Sequence, residues 1–131
     1  MADPQAAETV FRRFVEAFGR GDLEELRSLL ADDFAGHITT ADGGTREVSA
    51  SEYTESVAQM DVETADLRLD LPDITRIDEG TVLAMVEVHA SRRGKSLHNF
   101  SAQLARVAGD RLAELWMVEA EPAESEAFWT S

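Results

Sequence analysis

Three polar side chains alternate along one stretch of the second half of the chain, where Asn99, Ser101 and Gln103 are separated by single residues. Successive side chains of a β-strand point to opposite faces, so this spacing predicts that two amides and a hydroxyl share one face. Such groups donate or accept hydrogen bonds. They indicate the polar wall of a small-molecule pocket, provided that neighbouring strands supply apolar side chains to the same face.

The strand before this stretch supplies apolar partners. Reading residues 93–94, Arg-Gly, as a two-residue hairpin turn sets Val86 opposite Ser101 and Val88 opposite Asn99. A face that is apolar on one strand and polar on the next is typical of ligand pockets. The substrate-binding residues predicted from this hairpin are Val86, Val88, Asn99, Ser101 and Gln103.

The strand after it depends on a second turn. Reading residues 109–110, Gly-Asp, as another two-residue turn places Trp116 opposite Gln103 and Val118 opposite Ser101, which adds an indole and a valine to the pocket. A different interpretation is that Trp116 is a core aromatic and that the polar groups satisfy one another.

A shift of one residue in that hairpin would exchange the two faces of the last strand. If Ala108 belongs to the turn, Leu115, Met117 and Glu119 replace Trp116 in the pocket. A buried Glu119 would then be a candidate acid, because burial perturbs the pKa of a carboxyl group.

His37 is the candidate catalytic residue, since a histidine titrates near neutrality and can move protons. Phe34 and Ile38 are the expected inward pair of the short strand that contains it, an arrangement that would turn His37 away from them. Tyr53 faces inward on a predicted helix and is expected to lend its hydroxyl to the pocket.

His89 and His98 are expected to lie opposite each other by the same hairpin register. Paired imidazoles can bind zinc or respond to pH. No third ligand is well placed in the sequence interpretation, so we expect neither a metal site nor a cofactor.

The first half of the chain carries three helix patterns. Residues 3–4, Asp-Pro, predict the start of the first helix, and the segment GRGDLEEL (19–26) ends it and caps a second. Ser49 and Glu52 form a capping box for a third helix over about residues 50–60.

From residue 67 onward apolar and polar residues alternate, which predicts strands. Pro72 must bend or interrupt the first of them, and three longer strands follow as a meander. A short strand near DFAGHIT (33–39) is expected at the sheet edge, and the aromatic pair at residues 128–129 is expected to dock on the domain. Helices first and strands afterwards indicate an α+β fold with the helices on one face of a curved sheet.

Composition limits the possible partners. The 131 residues fit a single domain, 1–131, and the net charge of −14 disfavours nucleic acid and anionic membrane surfaces. The chain has no cysteine, and we found neither an apolar signal segment nor a membrane span in the sequence, so we expect a cytoplasmic protein.

Three segments together, FRRFVEAFGRGDLEELRSLLADDFAGH, DGGTREVSASEYTESV and ELWMVEA, resemble the nuclear transport factor 2-like (NTF2-like) superfamily, especially its SnoaL-like and ketosteroid-isomerase-like branches. The resemblance implies a cone-shaped fold, with three N-terminal helices packed on a curved, mostly antiparallel sheet around a pocket. It does not determine an activity, because the superfamily includes enzymes and binding modules.

The steroid isomerases of this superfamily use a tyrosine, an aspartate base and a second acid. The resemblance puts Phe14, Ile38 and Gln103 at those positions, and none is an acid or carries a hydroxyl group. Steroid isomerase chemistry is therefore not expected. The expected function is binding of a small, largely apolar carbonyl-type ligand, with Phe14 in the pocket wall. The alternative is a cyclase, isomerase or dehydratase acting on a small polyketide-like or other carbonyl substrate.

The other face of the predicted sheet is also apolar. Helices cover one side only, so a second copy of the chain is expected to cover the other, making a homodimer through the outer face. The expected outer belt consists of Leu83, Met85, Ala102, Leu104, Leu115 and Met117.

Overall fold

Four helices and six strands follow one another in the part of the chain that the computed structural model describes, residues 6–130, with the side chain of Ala6 left undescribed. In chain order they are α1 (Ala6–Arg20), α2 (Leu23–Ser28), β1 (Leu30–Thr39), β2 (Thr45–Val48), α3 (Ala50–Met60), β3 (Arg68–Asp78), β4 (Thr81–Arg92), β5 (Lys95–Ala108), β6 (Arg111–Glu119) and α4 (Pro122–Trp129), with a 3₁₀ turn at Val62–Thr64. No helix among residues 6–130 is both long and apolar enough to cross a bilayer.

The strands form one sheet in the order β2-β1-β6-β5-β4-β3. Neighbours are antiparallel except β1 and β6, which run parallel. The predicted α+β fold is confirmed. The prediction that DFAGHIT lies at the edge is wrong, because the four-residue strand β2 continues the sheet beyond β1.

A glycine corner joins the first two helices, as the segment GRGDLEEL predicted. Gly21 has φ +69°, and a Cβ atom there would come within 2.8 Å of Val62 Cγ2. Asp22 then caps α2 by accepting a hydrogen bond from the backbone N–H of Glu25 at 3.1 Å. The predicted Asp-Pro start of α1 lies outside the described residues.

The capping box of α3 is confirmed. The backbone N–H of Glu52 donates to Ser49 Oγ at 3.2 Å, and the backbone N–H of Ser49 donates to Glu52 Oε1 at 2.9 Å. The helix covers Ala50–Met60, as predicted, and buries Tyr53 and Val57. Its position turns the Tyr53 ring toward the sheet.

Pro72 bends β3 without ending it. The pairing with β4 shifts between Asp70 and Asp73, and the strand continues to Asp78. The β3 strand lies at the edge of the sheet. Proline lacks a backbone N–H, and an edge strand tolerates this because it has a neighbouring strand on one side only.

The hairpin of β4 and β5 has the predicted register. Val86 pairs with Ser101 and Val88 with Asn99 around a turn at residues 93–94, where Gly94 has φ +79°. The inner face of these strands packs on α1 through buried side chains, including Val82, Ala84, Val86, Ala105, Phe11 and Phe14.

The hairpin of β5 and β6 does not have the register that a regular two-residue turn predicts. The turn lies at residues 109–110, since Ala108 pairs with Arg111, but the register shifts by one residue between Arg106 and Val107. Ala113 is the extra residue of this β-bulge, and beyond it every β6 side chain changes face. Gln103 therefore pairs with Met117, not with Trp116.

Candidate functional site

A cavity of about 510 Å³ lies between the inner face of the sheet and helices α1, α3 and α4. Its volume falls within the range of ligand-binding clefts. Most of its wall is apolar, formed by side chains that include Phe14, Val15, Phe18, Ile38, Val57, Leu67, Leu69, Val86, Val88, Met117 and Trp129. The exposed residues Arg46, Glu126 and Thr130 also border it.

The polar wall of the cavity is centred on Gln103 and Ser101. Both side chains are buried, and Gln103 Nε2 donates to Ser101 Oγ at 3.1 Å. Gln103 Oε1 is buried and has no hydrogen-bond partner among the described residues. Because a serine hydroxyl can donate or accept, the amide can also bind it in the rotated orientation, which leaves Nε2 free. In either orientation one end of the amide remains available to a ligand.

Asn99 lines the same cavity, but its side chain is already used. Its Oδ1 accepts the backbone N–H groups of Phe100 and Glu121, both at 2.9 Å. These bonds fix the chain where β6 leads into α4. Asn99 therefore supports the shape of the cavity, and its carbonyl oxygen is not free for a ligand.

Glu119 is a half-buried acid that lines the cavity. It pairs with Ser101 across the hairpin, and Ser125 Oγ donates to its Oε1 at 3.0 Å. Burial raises the pKa of the Glu119 carboxyl above its ordinary value, and the Ser125 hydrogen bond opposes part of that rise.

Tyr53 contributes a phenol beside this acid. Burial, reinforced by the negative charge of Glu119, raises the pKa of Tyr53 well above its ordinary value. The phenol therefore stays protonated at neutral pH and can donate a hydrogen bond. Its ring lies between those of Phe14 and Phe34, with both centroid distances 5.8 Å.

The structure brings most of the predicted pocket residues together. Those that line the cavity are Phe14, Tyr53, Val86, Val88, Asn99, Ser101 and Gln103. Ile38, at the position of the isomerase base, lines it as well, so the expected absence of an acid there holds for the folded chain.

Trp116 and Val118 do not line the cavity, so the prediction for these two residues is wrong. Because of the bulge at Ala113, both side chains leave the outer face of the sheet, and Val118 is 64% exposed. The arrangement with Met117 and Glu119 inside, considered as an alternative, is the one observed, although a bulge causes it and not a longer turn.

His37 lies outside the cavity, with the indole of Trp116 stacked against it at a centroid distance of 5.3 Å. Its Nε2 is 2.8 Å from Glu114 Oε2, and its Nδ1 is 3.9 Å from Glu47 Oε1. The inward placement of Ile38 explains this orientation, because neighbouring strand residues point to opposite faces. His37 therefore cannot act on a molecule bound in the cavity.

Helix α4 closes one side of the cavity, which the sequence analysis did not predict beyond the docking of its two aromatic residues. Pro122, Ser125 and Trp129 contribute to the lining, and Phe128 is buried. Pro122 at the start of the helix was the available sequence signal.

Arg92 at the end of β4 holds this helix in place. Its Nη2 donates to the carbonyl oxygens of Phe128 and Trp129 at 3.4 and 3.3 Å. Its Nη1 donates to Met60 O at 2.9 Å and to Thr64 Oγ1 at 3.3 Å. One guanidinium thus connects α4 with the end of α3 and the turn that follows it.

The outer face of the sheet carries an apolar belt that differs from the predicted one. Leu115 and Met117 face inward, and Trp116 and Val118 take their places. The observed belt consists of Leu83, Met85, Phe100, Ala102, Leu104, Trp116 and Val118, of which Leu83 and Val118 are 45% and 64% exposed.

A cluster of three potential metal ligands lies beyond this belt. His89 and His98 pair across the hairpin as predicted, with ring centroids 4.4 Å apart. The expectation that no third ligand is well placed is wrong, because Glu87 Oε2 lies 3.2 Å from His89 Nε2 and 2.7 Å from His98 Nε2. Glu87 and His89 are two residues apart on β4, so their side chains share a face.

The chain is similar to two mycobacterial proteins over nearly its whole length. An uncharacterised protein of Mycobacterium tuberculosis (strain ATCC 25618 / H37Rv) is 32% identical over 134 residues, an alignment that covers 98% of this chain and 99% of that protein. An uncharacterised protein of Mycobacterium bovis matches equally well.

Solved structures share the fold at low identity. Bal32a from a soil-derived mobile gene cassette superimposes with a TM-score of 0.77 at 19% identity, covering 95% of this chain and 97% of that one. IdmH, a candidate polyketide cyclase from Streptomyces antibioticus, gives a TM-score of 0.71 at 20% identity, with coverage of 87% and 91%. An epoxide hydrolase of the LEH-like type from M. tuberculosis gives 0.75 at 12%, with coverage of 96% and 91%.

The match to a sequence family is direct. The profile of the SnoaL-like domain aligns with residues 11–115, which run from α1 into β6 and include most of the cavity wall. Together with the mycobacterial relatives and the shared α+β fold, this places the chain in the NTF2-like superfamily, and the protein belongs to the SnoaL-like domain family.

Proposed function

We propose that this protein binds a small, largely apolar molecule with a carbonyl or hydroxyl group at one end, inside the cavity. The observation that carries the proposal is the concentration of polar groups on one part of an otherwise apolar wall. Ser101 and Gln103 are hydrogen-bonded to each other, and Glu119 pairs with Ser101 on the next strand. An apolar body with one polar end matches such a cavity.

Gln103 supplies the specificity in this proposal. Its buried amide has one end without a partner among the described residues, and an unpaired buried polar group is unfavourable. A ligand carbonyl would accept from the amide N–H, and a ligand hydroxyl would donate to the amide oxygen. The protonated phenol of Tyr53 is a second donor near the same end.

Titration with 2-acetylnaphthalene, an aromatic ketone, tests the proposal by thermal shift and calorimetry. We expect saturable binding that is weakened in Gln103→Leu by about 10-fold, the effect of losing one hydrogen bond of roughly 1.4 kcal/mol. Gln59→Leu is the matched control, because Gln59 is exposed on α3 and does not line the cavity. Equal weakening in both variants, or no binding by the wild type, would contradict the proposal.

A second candidate function is proton transfer on a bound ketone. It is favoured by one observation, the half-buried Glu119 with a raised pKa beside the protonated Tyr53. In that reaction the Glu119 carboxylate takes a proton from the carbon next to the carbonyl, Tyr53 donates a hydrogen bond to the carbonyl oxygen, and the carboxyl returns a proton to the same carbon.

Deuterium exchange of 2-tetralone in D₂O, followed by NMR, measures this reaction directly. Catalysed exchange that disappears in Glu119→Gln and persists in Glu114→Gln would support it, since Glu114 is on the same strand but interacts with His37 outside the cavity. Exchange at the uncatalysed rate with the wild type would leave ligand binding as the function.

We also propose that two copies of the chain associate through their outer sheet faces. The support is the exposed apolar belt, with Leu83, Phe100 and Val118 each more than a third exposed. Light scattering at micromolar concentration should give the mass of a dimer for the wild type and of a monomer for Val118→Glu. Ala123→Glu, at an exposed position of α4, is the control. A monomeric wild type would contradict this proposal.

A further inference from the structure

We propose that Glu87, His89 and His98 form a zinc-binding site on the outer face of the sheet, separate from the ligand cavity. One potential ligand atom from each residue lies within 4.8 Å of the other two. Two imidazole nitrogens and one carboxylate oxygen are ordinary ligands of Zn²⁺, and three protein ligands leave one coordination position open.

The backbone fixes this convergence. Glu87 and His89 are two residues apart on β4, so both side chains leave the same face. His98 on β5 is the direct partner of His89. The three side chains therefore start from three adjacent positions of a regular antiparallel ladder, which limits the rearrangement that an ion would require.

The observed atoms are close to the spacing that an ion needs. Ligands at the usual Zn–N and Zn–O distances of about 2.0–2.1 Å lie roughly 3.4 Å apart in a tetrahedral site. Glu87 Oε2 is 2.7 Å from His98 Nε2 and 3.2 Å from His89 Nε2. Moving the carboxylate oxygen about 0.7 Å farther from His98 Nε2 and about 0.2 Å farther from His89 Nε2 would give this spacing.

Without an ion, the carboxylate of Glu87 accepts hydrogen bonds from the imidazoles. Binding of zinc requires each Nε2 to present its lone pair, so its proton moves to Nδ1 or leaves to solvent.

Neighbouring charges are compatible with a cation. Asp70 and Arg68 on β3 pair with Glu87 and His89, and Arg68 Nε donates to Asp70 Oδ2 at 3.0 Å. The positive charge of Arg68 is thus compensated next to the cluster. His89 and His98 are partly exposed, with side-chain accessibilities of 35% and 54%, so an ion can enter from solvent.

Isothermal titration of the tag-free protein with ZnCl₂ at neutral pH tests the site. We expect one zinc ion per chain. The zinc affinity of Glu87→Gln and of His98→Gln should fall by more than roughly 10- to 100-fold, which is the loss expected when a residue that only hydrogen-bonds to a ligand is removed. Co²⁺ in place of Zn²⁺ should give a visible absorption band in the wild type that both variants lack. Circular dichroism would verify that each variant is folded.

His37→Gln is the matched control. His37 also lies on the outer face beside a glutamate, but its two ring nitrogens face two different carboxylates, Glu114 and Glu47, so no three ligand atoms converge there. Its zinc affinity should equal that of the wild type. Equal affinity in His98→Gln and the wild type, an equal loss in His37→Gln, a stoichiometry of half an ion per chain, or no zinc binding would each overturn the proposal.

Discussion

Gln103 and Trp116 point to opposite faces of the sheet although they lie on neighbouring strands. Gln103 pairs with Met117, whereas Trp116 pairs with Leu104 and stacks on His37 outside the cavity. The bulge at Ala113 causes this separation. Met117 and Glu119 accordingly line the cavity, whereas a regular hairpin would have placed Trp116 and Val118 there.

The two tryptophans should therefore respond differently to a ligand in the cavity. Trp129 lines the cavity and Trp116 does not. In Trp116→Phe, the remaining indole fluorescence should be quenched when 2-acetylnaphthalene binds. In Trp129→Phe, the fluorescence of Trp116 should stay nearly constant over the same titration. Quenching in Trp129→Phe, with none in Trp116→Phe, would show that the bulged register is wrong.

Glu119 should make stability depend on pH in a definite direction. Its pKa is raised in the folded state, so the folded chain binds more protons than the unfolded chain at pH values between the two pKa values. Stability therefore falls as pH rises through this window, which begins near the ordinary carboxyl value of 4.5. Urea denaturation from pH 4 to pH 8 would measure this slope.

Glu119→Gln should reduce the decline in stability with pH, because the neutral amide keeps an acceptor for Ser125 and cannot ionise. Glu114→Gln, on the outer face of the same strand, provides the comparison. An unchanged slope in Glu119→Gln would indicate that this carboxyl is not the perturbed group.

The register of β4 and β5 could be predicted because its turn, Arg-Gly, has a conformation that glycine favours and no irregularity follows. The register of β6 could not be predicted from the turn alone. One signal was present: Leu112 and Leu115 are both fully buried although they are three residues apart. Two inward residues at an odd spacing in one strand require an extra residue between them.

The first three helices, the four long strands β3 to β6 and the polar residues of β5 were also predictable, because periodicity and capping are local properties. The composition of the cavity was not, because it depends on packing between distant segments. Trp129 reaches the cavity only because α4 folds back over the sheet, and the Arg92 contacts that hold α4 join residues 36 and 37 positions apart. No local pattern encodes such a contact.

The capping box of α3 should contribute measurably to stability. Ser49→Ala removes the acceptor for the Glu52 N–H and should lower the free energy of unfolding by about 1 kcal/mol. Ser51→Ala is the control, because Ser51 lies inside the helix at an exposed position, where alanine favours helix formation. In chemical denaturation, the midpoint of Ser49→Ala should be lower than that of the wild type. The midpoint of Ser51→Ala should be higher or unchanged.

Arg92 should be essential for the docking of α4, because one guanidinium donates to carbonyl groups of both α3 and α4. Lysine retains the charge but cannot reproduce this fork. Arg92→Lys should lower the free energy of unfolding by about 1.5–3 kcal/mol, the range for hydrogen bonds that involve a charged group. Arg20→Lys, at an exposed position with a 3.7 Å ion pair to Asp22, should change the free energy of unfolding by less than about 0.5 kcal/mol.

Hydrogen exchange would locate the effect of Arg92→Lys. If the arginine holds the helix over the cavity, exchange should become faster over residues 122–129 while β5 is unaffected. Uniform acceleration throughout the chain would contradict that role.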